Sequence, residues 1–183
     1  MHRASRTTRL VSVVAGTILA ATTLAGCGQI NSLLGGSQRD ADTQEVTEEG
    51  TDSVFDIQVG DCLLEPEGAG STGTEVYDIN VVPCADTHDY EFYHEFDLSS
   101  DDDAWPGDDA IAEQADPGCY DSFETFVGVP FDESATLWYT YYSPTSQSWD
   151  EGDRAIQCMV YEASDDQGVA VAQVEGSLEG AAR

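Results

Sequence analysis

The sequence predicts an α+β fold: one small mixed or antiparallel sheet, two short helices in the middle, and two disulfides as staples. Three observations predict it. Apolar and polar residues alternate at period two on both sides of the chain centre, the signature of half-buried strands. Between them Cys119, Tyr120, Phe123, Phe126 and Val127 recur at offsets 0, 1, 4, 7 and 8, one apolar stripe of a helix. Four cysteines (Cys62, Cys84, Cys119 and Cys158) follow an export signal, and an even number in an exported chain reads as two disulfides.

Residues 1–26 form that signal. Arg3, Arg6 and Arg9 precede an uncharged run from Leu10 to Leu24, and Leu24-Ala25-Gly26-Cys27 closes it. A basic head, a short apolar body and small residues at the cut describe an export signal. The body falls short of the ~20 apolar residues that span a bilayer. Small residues before a Cys resemble the bacterial lipobox, which implies a diacylglycerol thioether on Cys27 and cleavage in front of it. The expected location is the outer face of the cell membrane, with the membrane itself reached through the lipid.

Residues 27–53 read as the lipidated Cys and a flexible acidic tether, because the segment is rich in Gly, Ser, Thr, Gln and acids and has no aromatic. Such a composition buries too little apolar surface to offset the entropy of ordering. As a coil its 26 residues beyond Cys27 would reach roughly 28 Å, and about 90 Å fully extended. The folded domain is then 54–183, one domain's worth of chain.

Phe55, Ile57 and Val59 alternate with Asp56 and Gln58 and predict the first strand, broken by Gly60-Asp61 before Cys62-Leu63-Leu64. Glu65 to Thr74 is a Gly- and Ser-rich loop. Val76, Tyr77, Ile79, Val81 and Val82 predict a buried strand ending at Pro83. Tyr90, Phe92, His94, Phe96 and Leu98 alternate with Glu91, Glu95 and Asp97, a strand with one wet face, and an acidic turn from Ser99 to Asp103 follows. Asp108 and Asp109 precede a first short helix over Ala110–Gln114, where acids favour the N-terminus. Asp116 as N-cap and Pro117 at the first helical position start a second, which Gly128 terminates. Burying Cys119 on that stripe places it against a strand. Thr136 to Tyr142 has the aromatic and Thr enrichment of a sheet. Pro144 to Asp153 is a long turn holding Trp149. Ile156, Cys158 and Val160 alternate in a further strand, and Val169 to Ala172 is a final short one.

The cysteines stand 22, 35 and 39 positions apart with no C-x-x-C pair, which argues against structural zinc. Four cysteines allow three pairings, and sequence alone does not choose. The sequential pattern, Cys62–Cys84 and Cys119–Cys158, is the expectation.

Charge sets the partners. All 36 acidic residues lie beyond residue 26, against only Arg39, Arg154 and Arg183 and no Lys, a formal charge of −33. Nucleic acid is excluded, since neutralising phosphate needs Lys and Arg. Anionic lipid headgroups and wall polymers are repelled beyond a Debye length of roughly 8 Å.

Candidate chemistry is sparse. His88, flanked by Asp86 and Asp89, offers a general base beside carboxylates; the structural alternative is a turn cap bonded to backbone. His94 shares the apolar register with Phe92 and Phe96. No G-x-S-x-G elbow appears, and every cysteine beyond Cys27 is expected to be oxidised, so no catalytic residue is assigned. Asp101, Asp102 and Asp103 with Asp108 and Asp109 could hold divalent cations weakly but lack the spacing of a calcium loop. No metal and no cofactor is otherwise assigned. Arg154, read as the only Arg of the domain, should find a bidentate carboxylate and anchor the Trp149 turn. His88, Asp89, Trp149, Asp153 and Arg154 form the candidate functional surface, with Tyr139, Tyr141 and Tyr142 beside Trp149 as contact aromatics.

Several segments taken together resemble the septum formation domain of actinobacterial cell-envelope proteins. They are Gly60-Asp61-Cys62-Leu63; Val82-Pro83-Cys84 followed by His88-Asp89-Tyr90-Glu91; Cys119 before Phe123, Phe126, Val127 and Gly128; and Trp149 before Gly152-Asp153-Arg154, Ile156 and Cys158. The resemblance covers about residues 54–180. Thr87 stands where the family usually has Pro. It implies an exported envelope domain tethered by a span or a lipid, and it supplies no catalytic residues. The expected function is thus a lipid-anchored binding or structural module whose partner is an envelope or division protein or a wall component. Two alternatives remain: an envelope hydrolase using His88 with a nearby carboxylate, or a cation-binding surface protein.

Overall fold

A computed structural model describes residues 35–66, 75–99 and 103–183. The expected signal, Cys27 and residues to 34 lie outside the described residues, as do most of the expected Gly-rich loop and positions 100–102 of the acidic turn. In chain order the strands are β1 (Gln38–Arg39), β2 (Val46–Glu48), β3 (Gly50–Ser53), β4 (Cys62–Leu63), β5 (Asp78–Val82), β6 (Tyr90–Asp97), β7 (Leu137–Tyr142), β8 (Ala155–Ala163) and β9 (Val171–Ala172). The helices are α1 (Asp108–Val127) and α2 (Ser146–Asp150). A seven-stranded sheet runs β3-β5-β4-β6-β8-β7, with β9 on the end of β8, and every pairing is antiparallel. The mixed alternative is thereby removed, and the α+β class stands.

The sheet is buried on both faces. Ile156, Cys158 and Val160 of β8 join Tyr93, Leu137, Trp149, Leu178 and the α1 stripe in one core. Met159 faces the other way, toward Phe92, Ile57, Leu63, Ile79 and Val81. The two disulfides are Cys62–Cys84 and Cys119–Cys158, the second tying α1 to β8. Among the described residues no helix is long and apolar enough to cross a membrane.

Several local expectations differ from the structure. The two central helices are one helix of 20 residues with Pro117 inside it. A proline in a helix interior costs about 3 kcal/mol. Ile111, Ala115, Cys119, Phe123 and Val127 are all buried at four-residue spacing across the break, whereas Pro117 is exposed. Burying Ile, Phe and Val side chains contributes about 1.5–3 kcal/mol each, which outweighs the proline. Gly128 ends the helix in the left-handed conformation, as expected. The second helix is α2, inside the stretch read as a turn, where Thr145 and Ser148 form a reciprocal capping box.

The strand expected from Phe55 to Val59 is a turn. Phe55 and Val59 are 59% and 56% exposed while Val54 and Ile57 are buried, so the period-two pattern there does not mark one face. In β6 the register slips between Phe92 and His94, and Tyr93 is the extra residue. A bulge flips the faces. Phe92 therefore packs with Met159 on one side, and His94 pairs with Cys158 on the other. Tyr93, a wet-face position in the sequence pattern, is core, and its hydroxyl donates to the Cys119 carbonyl at 2.6 Å.

Residues 35–53, which read as tether by composition, are part of the fold. By residue 35 the chain is folded: β1 and β2 form a hairpin and β3 extends the main sheet beside β5. Polar side chains fix it there. Ser37 Oγ donates to Asp52 at 2.5 Å, and Arg39 holds Asp61 through two nitrogens at 2.5 and 2.6 Å. Composition counts apolar area, and this segment is anchored by charge-assisted hydrogen bonds instead.

Candidate functional site

His88 follows a turn after Cys84 and is completely buried. Its Nδ1 lies 2.9 Å from the Asp86 carbonyl, which can only accept, so Nδ1 carries the proton. Nε2 meets no hydrogen-bond partner among the described residues. The backbone of His88 pairs with Val174 in both directions at 2.9 Å, which pins the C-terminal segment to the sheet. Asp89 is buried and accepts from the Glu65 amide at 2.7 Å.

Glu91, next on β6, is 2% exposed rather than wet. It accepts from Ser177 Oγ at 2.7 Å and from the Leu178 amide at 2.5 Å. Burial raises its pKa, against the opposing pull of those two donors and of His88. One of its oxygens and the sulfurs of Cys62 and Cys84 lie within 4.8 Å of one another. Both sulfurs are committed to the disulfide, so the trio offers no thiolate for a metal.

Arg154 has carbonyl partners in place of the expected carboxylate. It donates to the Trp149 and Asp153 carbonyls at 2.9 and 2.6 Å, and its guanidinium sits 3.5 Å from the Trp149 ring centroid. The bidentate carboxylate belongs to Arg39, in the segment assigned to the tether, and Arg154 is not the only Arg of the domain. Acids near Arg154 are already satisfied: Asp153 accepts from Ser148 Oγ at 2.8 Å and from the Ala155 amide at 3.0 Å. Trp149 is 1% exposed, with its indole N–H on the Asp103 carbonyl at 3.0 Å. Its expected role in a contact surface is therefore corrected to core, because its flanking turn is a helix that inserts the ring. His88 and Asp89, also expected on that surface, are buried. His94 stacks on Phe96 at 5.7 Å and is half-buried.

Among the described residues, a surface cleft of about 730 Å³ lies between the loop before β5, the turn after β3, the N-terminus of α1 and the β7–α2 connection. Of the candidate residues Asp153, Tyr141 and Tyr142 line it; His88 and Arg154 do not. Its lining includes the carboxylates Glu75, Asp108, Glu151 and Asp153 and, among the described residues, no Lys, Arg or His. Aromatic surface comes from Phe55, Tyr77 and Trp105, with Tyr77 54% exposed. The Tyr77 hydroxyl donates to Glu75 at 2.8 Å, and that carboxylate raises its pKa. The sequence hides this cleft, since its walls come from segments nearly a hundred residues apart. Phe55 and Tyr77 look like strand residues when only alternation is counted. Of the expected acidic cation cluster, Asp101 and Asp102 lie outside the described residues and Asp103 uses its carbonyl to hold Trp149.

A family model described as septum formation matches residues 59–183. No curated protein and no solved structure matches the chain.

Proposed function

Because the chain belongs to the septum formation family, which links it to septum formation or cell division, we propose that it is a lipid-anchored binding module of the actinobacterial cell envelope. The anchor is Cys27 and the site of action is the extracytoplasmic face of the cell membrane. The module works by binding and carries no catalysis of substrate at His88, whose ring is sealed from solvent.

The observation that carries the binding reading is the cleft. Aromatic faces and four carboxylates without a lining cation suit one class of occupant: a Lys- or Arg-bearing segment of an envelope or division protein. The exposed rings offer cation–π contacts and apolar area, while the acids steer a cationic chain and repel anionic wall polymers. A formal charge of −33 beyond residue 26 leaves the lipid, not electrostatics, to hold the domain at an anionic membrane.

The test is titration of the full chain with a Lys/Arg-rich peptide and an acidic peptide of equal length, at low and high salt. The cationic peptide should bind and lose affinity with salt, and E75Q and E151Q should each weaken it several-fold. Equal binding of both peptides, or of neither, refutes the reading. For the anchor, a Cys27→Ala change should release folded protein from membranes on fractionation; continued retention refutes lipid attachment.

A further inference from the structure

The two disulfides differ in their surroundings. Cys119 and Cys158 are both completely buried in the core between α1 and β8. No external thiol can reach either sulfur without opening that core. In the other bridge Cys62 is completely buried, but Cys84 is half-buried, and Ala85, Asp86 and Thr87 after it are exposed. A substrate sulfur therefore has an approach to Cys84 and none to Cys62.

Beside the buried sulfur stands an acid. Cys62 and Glu91 are direct partners across β4 and β6, and a Glu91 oxygen lies within 4.8 Å of both sulfurs. An unpaired buried carboxylate is costly, and the hydrogen-bond partners of this one are a hydroxyl and a backbone amide, both uncharged. The purely structural bridge Cys119–Cys158 is built among apolar and aromatic side chains instead.

We propose that Cys62–Cys84 is an exchangeable redox pair, with Cys84 the sulfur attacked by a polypeptide dithiol and Glu91 the proton donor to Cys62. A substrate thiolate, its proton lost to water, attacks Cys84 Sγ. The Cys62–Cys84 bond breaks, its electron pair leaves on Cys62, and Cys62 takes the proton of Glu91. The second substrate thiol loses its proton and attacks the mixed disulfide, so that Cys84 leaves as thiolate and is protonated from solvent. The substrate ends as a disulfide, two electrons poorer, the protein ends as a dithiol, and Glu91 regains its proton from solvent. A thiolate expelled into a dry site needs a proton, and Glu91 keeps one available because burial favours its neutral form. His88 and Glu179 are the neighbouring titratable groups that act on it, His88 lowering its pKa and Glu179 raising it. Ser177 can accept from the protonated acid, which keeps Glu91 bonded in both states.

The test is timed reduction of the full oxidised chain in native buffer with dithiothreitol as the dithiol probe, followed by alkylation and peptide mapping. Cys62 and Cys84 should be labelled while Cys119 and Cys158 remain bridged, and E91Q should slow that opening about 100-fold, the low end of what a positioned proton donor supplies. The E91Q rate should also lose the fall with rising pH that follows Glu91 ionisation. Opening of both bridges together at the rate of global unfolding, or of Cys119–Cys158 first, overturns the proposal. So does a folded E91Q that exchanges at the wild-type rate with the wild-type pH profile. Should E91Q not fold, the wild-type mapping decides the matter without a variant. Neither outcome bears on whether the cleft binds a cationic segment.

Discussion

Replacing Arg39 by Ala separates a folded N-terminal segment from a spacer. The guanidinium and the Asp61 carboxylate are 15% and 4% exposed and joined by two hydrogen bonds at 2.5 and 2.6 Å. Truncation leaves the buried Asp61 carboxylate with the Gln58 backbone N–H, at 2.7 Å, as its remaining hydrogen-bond partner. Breaking a buried pair by removing one member costs about 3–5 kcal/mol. The residual exposure of Arg39 lets water reach the site, so the low end, about 3 kcal/mol, applies. For a domain of this size that lowers Tm by about 6–12 °C. The assay is thermal unfolding of the wild type, R39A and R39A/D61N followed by circular dichroism. The double variant should recover part of the loss, because an Asn leaves no buried charge. R39K should fall between, since an ammonium cannot bond both oxygens at once. If R39A melts within the spread of an ordinary surface substitution, about 0.5 kcal/mol, the pair does not form and residues 35–53 are a spacer after all.

Gly118→Ala places a methyl about where the Phe96 ring lies, 2.2 Å from Cζ, and should destabilise by about 1–3 kcal/mol in urea titration. Trp149→Ala empties the site that α2 fills and should cost about 3–5 kcal/mol, read from the urea midpoint. R154A, which loses the ring contact and two carbonyl bonds, should cost about 2 kcal/mol. Glu91 gives a pH signature: its folded pKa is raised, so its stabilising contribution is complete below the unfolded value near ~4.3 and is lost as pH rises through the folded one. Wild type should thus lose stability relative to E91Q with rising pH, at up to about 1.4 kcal/mol per unit, and a constant difference across the range would contradict the burial. At the alkaline end, burial raises Tyr90, Tyr93 and Tyr139 well above their ordinary range and Tyr142 to about 12. Their contribution is present below about pH 10 and lost above it, so tyrosinate absorbance should rise together with unfolding.

The sequence by itself determined the class, the strand-rich ends, the α1 stripe with its Gly128 stop, and the family. These rest on local periodicity and on the order of cysteines, which survive in one dimension. The tertiary structure decided the pairing of the cysteines, because only placing Cys119 against β8 and Cys62 beside the turn at Cys84 removes the other two choices. It also decided that Pro117 sits inside one helix, since packing five buried side chains outweighs a local preference. The face of each β6 residue depended on a single inserted position at Tyr93, which period-two counting cannot register. Arg39 and Asp61 are 22 positions apart and found each other only once β1 folded back, which brings residues 35–53 into the fold. The cleft was likewise illegible, as its acids and rings come from distant turns. A sequence shows which residues want burial or a partner; which partner is near enough depends on the three-dimensional path of the chain.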